Sequence, residues 1–199
     1  MPKIVDHDQR REEYLAALWR VVDRDGATAI SVRSVAAEAG TSKSSIGHYF
    51  ASQADLVSAA VAQQVSQVSE QLDRLDLTAF DEDRAVEAAM IAIPTTARRR
   101  RESQVWLLLL SQQGSDAELR RVLAALDGEV LARLRQFMQV LDGNGLLGAG
   151  RVPDDEAARL HALVDGLSLR AAGDTTGRGT RRIRELVRLH VRELAQPLS

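Results

Sequence analysis

Apolar residues recur at steps of three and four along almost the whole of this chain, a period that fits helices and not strands. Between Gln9 and Val22 they are Tyr14, Leu15, Ala17, Leu18, Val21 and Val22, all on one helical face. From Ser52 the same spacing runs for about five turns through QADLVSAAVAQQVSQVSEQL. Two late stripes repeat it: Leu160, Leu163, Val164 and Leu167, then Ile183, Leu186, Val187, Val191 and Leu194. No segment keeps the alternation of a half-buried strand, so the expected fold is all-α, with about nine helices.

Helix stops and caps divide the chain. Gly26 ends the first helix, and a short second helix over Ser31–Ala39 takes Ser31 as its N-cap and ends at Gly40, where a left-handed residue is easiest. A third begins after Thr41, which completes a three-helix N-terminal unit. Asp81 caps a helix that Pro94 stops after Ile93, and Thr95 or Thr96 caps the next, which runs through VWLLLL toward Gly114. Ser115 or Asp116 opens a long helix ending near Asp142, and GNGLLGAGR is a loop. Two last helices span Asp154–Ala172 and Thr180–Leu194.

Composition excludes several classes. The formal charge of -2 and pI near 6.1 rule out a globally basic nucleic-acid coat but not a local site. Of the 26 basic residues only Lys3 and Lys43 are lysines. Without cysteine there is no disulfide, no thiolate nucleophile and no cysteine-ligated metal. The first residues, MPKIVDHDQRREEY, lack the apolar core of a signal peptide, and VWLLLL is far too short to cross a bilayer. A soluble, cytoplasmic protein with no membrane partner is expected. No Ser-His-Asp set, glycine-rich phosphate loop or dense metal cluster stands out, which argues against an enzyme and against a metal or other cofactor.

Two short helices joined by a tight turn have the layout of a helix-turn-helix, whose second helix enters the DNA major groove. The words of this one are specific. ISVRSVAAEAGTSKSSIGHYFASQADLV resembles the N-terminal signature of the TetR family of transcriptional regulators over Ala27–Val57, in Val32, Val35 and Ala36, the Ala39–Gly40 turn, Ser42–Lys43, Tyr49–Phe50 and Leu56. The resemblance implies a helix-turn-helix DNA-binding domain over residues 1–52. It also implies a larger helical domain over residues 53–199 that binds a small effector and forms a homodimer. ESQVWLLLL, the long helix from Asp116 and LVDGLSLRAAG are loosely similar to the subgroup of choline-responsive repressors. The function so implied is a ligand-responsive homodimeric regulator, a repressor first of all, on a pseudo-palindromic operator. Control by a protein partner without a small effector is the first alternative, and an all-helical enzyme the second.

The first turn of the third helix offers backbone donors around Ser42–Ser44 to a phosphate, and Lys43, Ser44 and Ser45 are small or flexible enough to meet base edges. Arg33 occupies a position that reaches the groove in the family, and His48 and Tyr49 fall near the sugar-phosphate edge. Ile46 and Phe50 face the core. Gly47 stands where the family usually has Tyr, and Gln53 where it usually has a phosphate-binding Lys. Arg10, Arg11 and Lys3 are candidates to offset these changes. Basic and acidic side chains nearly balance over residues 1–55, so non-specific affinity is expected to be modest.

For the effector site the candidates are Met90, Trp106, Leu109, Leu110, Phe137 and Met138, each equally able to fill core. Phe80, Trp106 and Phe137 are the aromatic residues beyond position 51, thin material for a cage around a quaternary ammonium. The late stripes give Leu160, Val164, Leu167, Ile183, Val187 and Val191 as expected dimer-interface residues in a four-helix seam. Arg98–Arg101 reads either as a nucleic-acid patch or as a solvated face paired with Glu102 and nearby carboxylates. His161 and Asp165 share a helical face and are a hydrogen-bonded pair or two ligands of a metal.

Overall fold

A computed structural model describes residues 7–75, 81–112, 114, 117–174 and 178–198. Within them lie the helices α1 (His7–Asp25), α2 (Val32–Glu38), α3 (Lys43–Gly47), α4 (Gln53–Asp73), α5 (Glu82–Ala92), α6 (Ala97–Gln112), α7 (Ala117–Gly143), α8 (Pro153–Ala172) and α9 (Gly179–Leu194). A 3-10 turn at Ala27–Ala29 joins α1 to α2, and no strand occurs among the described residues. The all-α expectation therefore holds. Ser115 and Asp116, expected to open α7, lie outside the described residues, as do Lys3 and Phe80.

The caps explain these boundaries. Ser31 accepts from the Ser34 backbone N–H at 3.0 Å while Ser34 Oγ takes the Ser31 N–H at 2.9 Å, a reciprocal box that starts α2. Asp81 does the same work for α5 through the Arg84 N–H, and Thr96 Oγ1 accepts from the Arg99 N–H at the head of α6. Ser52 and Asp55 cap α4, the serine accepting from Asp55 N–H and the carboxylate from Ala51 N–H. Pro153 takes the first position of α8, where a missing N–H costs nothing.

The described residues fall into two compact units, one from 1–64 with 101–123 and one from 65–100 with 124–199. In the first, α1 packs on α2 and α2 on α3, with Leu18, Val21, Val35, Ile46 and Leu56 at or below 0–1% exposure. Each such side chain contributes about 1.5–3 kcal/mol of burial. Polar ties run between helices in this unit: Trp19 Nε1 to Gln63 Oε1 (3.4 Å), Gln64 Nε2 to Glu102 Oε2 (3.3 Å), and Arg101 to Asp23 (2.8 Å). Glu102 is buried.

In the second unit α9 lies against α5 and α8. Ala85, Ala88 and Ala89 keep α5 thin on its packed side, and Arg188 and Arg192 of α9 hold Glu82 at 3.0 and 2.8 Å. The loop before α8 is tied to the end of α9 by Gly148 N–H to Leu194 O (2.7 Å) and Leu198 N–H to Ala149 O (3.1 Å). Any Cβ at Gly148 would strike the Gln196 carbonyl. Arg151 and Glu156 form a buried pair at 2.7 Å, with Arg151 Nε also on Gln196 O and Arg159 on the same carboxylate. Nearby, His190 Nε2 is buried with no hydrogen-bond partner, and burial holds its imidazole below the usual range.

The expected dimer-interface residues lie in the core of the single chain. Leu160, Val164, Leu167, Ile183, Val187 and Val191 are 0–7% exposed within the single chain, where they pack with α5 and α7 residues such as Val86, Ile93 and Met138. An amphipathic period identifies a buried face without saying which partner buries it. Here the subunit's own core does. The large apolar residues that α8 and α9 leave in solvent are Leu169 and Leu189, 58% and 64% exposed.

Candidate nucleic-acid interface

The α2–α3 element is built by three local devices. Gly40 takes φ +64°, the left-handed geometry that a side chain would resist, and lets Thr41 N–H return to Ala36 O at 2.9 Å. Ser42 then caps α3, accepting from the Ser45 N–H at 3.1 Å. Its hydroxyl also meets Ser44 Oγ at 3.0 Å and Ser45 Oγ at 2.9 Å. Ile46 and Phe50 are buried as expected, anchoring α3 from below.

Above that anchor Ser42, Lys43, Ser44 and His48 are exposed, Ser45, Tyr49 and Gln53 are partly buried, and Arg33 is exposed on the first turn of α2. The charges sort sharply. Arg10 pairs with Glu13, and Arg20 and Arg24 pair with Glu38, holding that carboxyl below its usual range. Arg11 is occupied as well: Nη1 donates to the Tyr49 carbonyl at 2.7 Å, and the guanidinium carbon sits 4.4 Å from the Phe50 ring centroid. Among the described arginines and lysine of residues 7–64, the two without any partner are Arg33 and Lys43. Unpaired cations beside capped hydroxyls and an open backbone suit the phosphates and base edges of a groove.

Two expected residues behave differently at close range. Arg11 is spent inside the domain, so it does not make up for the missing Lys at Gln53. Tyr49 turns its ring toward α1, 4.5 Å from His7 and edge-on to Tyr14 at 5.3 Å. Sequence reasoning missed these ties because they join residues far apart in the chain, Arg11 and Tyr49 by 38 positions.

The effector candidates divide between the units. Leu109 is fully buried and Trp106 and Leu110 partly so in the first; Met90 and Met138 are buried in the core of the second, with Phe137 at its margin. In the charged run, Arg100 donates to Thr95 O and Arg101 pairs with Asp23. His161 Nε2 lies 3.4 Å from Asp127 Oδ1 and 3.8 Å from Asp165 Oδ2. Partial burial raises the Asp165 carboxyl, His161 opposing and Asp127 adding. Asp127 belongs to α7, and no local pattern pairs it with His161 of α8. No group of three or more acidic, histidine or cysteine residues among those described is placed to hold a metal, and no described helix is long and apolar enough to cross a membrane.

Comparison with known proteins identifies the scaffold. Residues 81–196 match the family model of the BetI-type transcriptional repressor C-terminal domain, and residues 15–60 match that of bacterial regulatory proteins of the tetR family. The chain is similar to the HTH-type transcriptional regulator PksA of Bacillus subtilis (strain 168), 30% identical over 197 residues that cover 98% of this chain and 94% of that protein. It is also 29% identical to the HTH-type transcriptional regulator BetI of Stenotrophomonas maltophilia (strain R551-3), over 86% of each. Among solved structures, a transcriptional regulator from Rhodococcus sp. Rha1 shares the fold with a TM-score of 0.77 at 23% identity, covering 92% of this chain and 95% of that one. Another, from Saccharomonospora viridis and in complex with choline, gives 0.74 at 23% identity over 90% and 94%. The α2–α3 pair thus falls in the helix-turn-helix of a regulator and not of an enzyme, and the chain belongs to the TetR family of transcriptional regulators, with a C-terminal domain of BetI type.

Proposed function

We propose that this chain is a cytoplasmic, homodimeric repressor that binds a pseudo-palindromic operator and leaves it when a small molecule binds. The observation that carries the DNA part is the sorting of charge. Every other described arginine of residues 7–64 is held by a carboxylate or a carbonyl, while Arg33 and Lys43 stand open on α2 and α3. The reading set is Arg33, Ser42, Lys43, Ser44, Ser45 and His48, with Gln53 at the edge, in a DNA-binding domain of residues 1–52.

Two copies are needed because one five-residue helix covers too few base pairs, and two-fold symmetry pairs the half-sites. The outer face of α8 supports a helical seam between copies. Ala158, Ala162, Gly166 and Leu169 recur at three- and four-residue steps there, all exposed, and Leu189 is exposed on α9.

Release by a ligand in residues 53–199 is supported by ties within the first unit. Arg101 on Asp23 and Glu102 with Gln64 connect α6 to α1 and to α4, so a shift of α6 alters the support of the DNA-binding helices. The ligand must favour the released arrangement by about 5.5 kcal/mol to turn a mostly bound population into a mostly free one. Trp106, Leu109 and Leu110 within the first unit, and Met90, Phe137 and Met138 within the second, remain the proposed effector contacts, each set taken by itself. Selection of fragments retained from the source genome tests the function: recovery of a shared dyad-symmetric sequence supports it, and retention without sequence preference sinks it.

A further inference from the structure

The recognition helix is weak by its own sequence. It has five residues, too few to pay for its own nucleation, and it ends in Gly47, the least favourable interior residue short of proline. Its head is fastened by Ser42. Its tail depends on α1. There His7, Arg11 and Tyr14, spaced at four and three residues, lie on one helical face. His7 and Tyr14 flank the Tyr49 ring, while Arg11 donates to the Tyr49 carbonyl at 2.7 Å and covers the Phe50 ring at 4.4 Å. Phe50 is 1% exposed, so the ring under the guanidinium is a fixed part of the core.

A guanidinium suits this place for two reasons. Its plane lies on an aromatic face while its edge donates to a carbonyl, and it keeps its charge when partly buried. The ammonium of lysine offers the charge without the plane. Arg10, the neighbouring cation, is exposed and pairs with Glu13. The two arginines of this pair therefore have different tasks.

We propose that Arg11 is a positioning residue for DNA recognition: it clamps the C-terminal end of α3 to α1 and sets the attitude at which Lys43 and the serines meet the bases. The proposal rests on the DNA-binding reading above. It makes Arg11 responsible for discrimination between sequences rather than for attraction to phosphate, because a residue that contacts no DNA changes neither the number of counterions released nor non-specific affinity.

The test uses the full chain as wild type, Arg11→Lys and Arg11→Met. Two duplexes of equal length and composition are titrated at several salt concentrations, one a fragment that the wild type retains from its genome and one a scrambled version. Circular dichroism follows folding. Both variants should remain folded and lose roughly ten-fold or more on the selected duplex, the worth of one hydrogen bond to a charged group. Their affinity for the scrambled duplex and the slope of log affinity against log salt should match wild type. Full rescue by Arg11→Lys would overturn the proposal, as would equal losses on both duplexes with a slope smaller by about 0.9 per subunit, the mark of a lost phosphate contact in each half-site. Unchanged discrimination in both variants would overturn it too, and loss of the folded state in both would make Arg11 a stabilising residue only. A wild type unable to tell the duplexes apart rejects the DNA reading itself, a result separate from any of these.

Discussion

Val187 and Leu189 are two positions apart on α9 and should respond in opposite ways to the same substitution. Val187 is 0% exposed in the subunit's own core, and Leu189 is 64% exposed. Aspartate at 187 loses about 1.5–3 kcal/mol of burial and places an unpaired charge in an apolar cluster, which costs about 3–5 kcal/mol more. That sum approaches the total stability of a domain, roughly 5–15 kcal/mol. Val187→Asp should therefore unfold or aggregate. Leu189→Asp leaves an isolated subunit within about 0.5 kcal/mol of wild type, as surface changes do. In a two-fold seam the residue is lost twice, so the same burial estimate gives about 3–6 kcal/mol and raises the dimer dissociation constant by about 10²–10⁴. Sedimentation velocity across a concentration series, with thermal melts by circular dichroism, separates the two outcomes. A folded monomer from Val187→Asp would refute the burial argument. An undiminished Leu189→Asp dimer would remove Leu189 from the seam.

Three further outcomes follow from single sites. Lys43→Ala should cost about 1–3 kcal/mol in operator affinity per half-site and relax the preference at one base pair in each, read by anisotropy titrations against single-base variants of a retained fragment. Gly47→Ala should raise stability by about 0.4–1 kcal/mol in urea unfolding, because a Cβ there meets nothing within 4 Å and the residue does not need the left-handed geometry. Burial lowers the His190 pKa from 6.5, so below that value the unfolded chain binds the proton before the folded one does, and stability falls as pH falls. The stability of wild type relative to His190→Gln should accordingly shrink between about pH 7 and about pH 5, and a difference that grows instead would reverse the sign of the burial effect.

Much of the fold was legible because its boundaries are set locally. Ser31, Gly40, Asp81, Thr96 and Pro94 act within four residues of themselves, and each stands where the helix pattern needs it. The 3-10 turn at Ala27–Ala29 escaped because three residues carry no period. The late stripes were legible as buried, and what covers them was not, since a stripe at helical spacing is the same whether α5 or a second copy covers it. The site shows the same division. The exposed residues on α3 follow from its cap and its buried Ile46, whereas the engagement of Arg11 and the His161–Asp127 contact join helices far apart in the chain. Nothing local announces such a pair.

The central claim is that two copies read DNA through the open cations of α2 and α3, and a hydroxyl-radical footprint of the full chain on one retained genomic fragment tests it most directly. The predicted result is two protected patches related by a dyad, about one helical turn of roughly 10 base pairs apart, with Arg33→Ala and Lys43→Ala weakening both together. Protection of a single patch, or of two patches that persist undiminished in both variants, would contradict it.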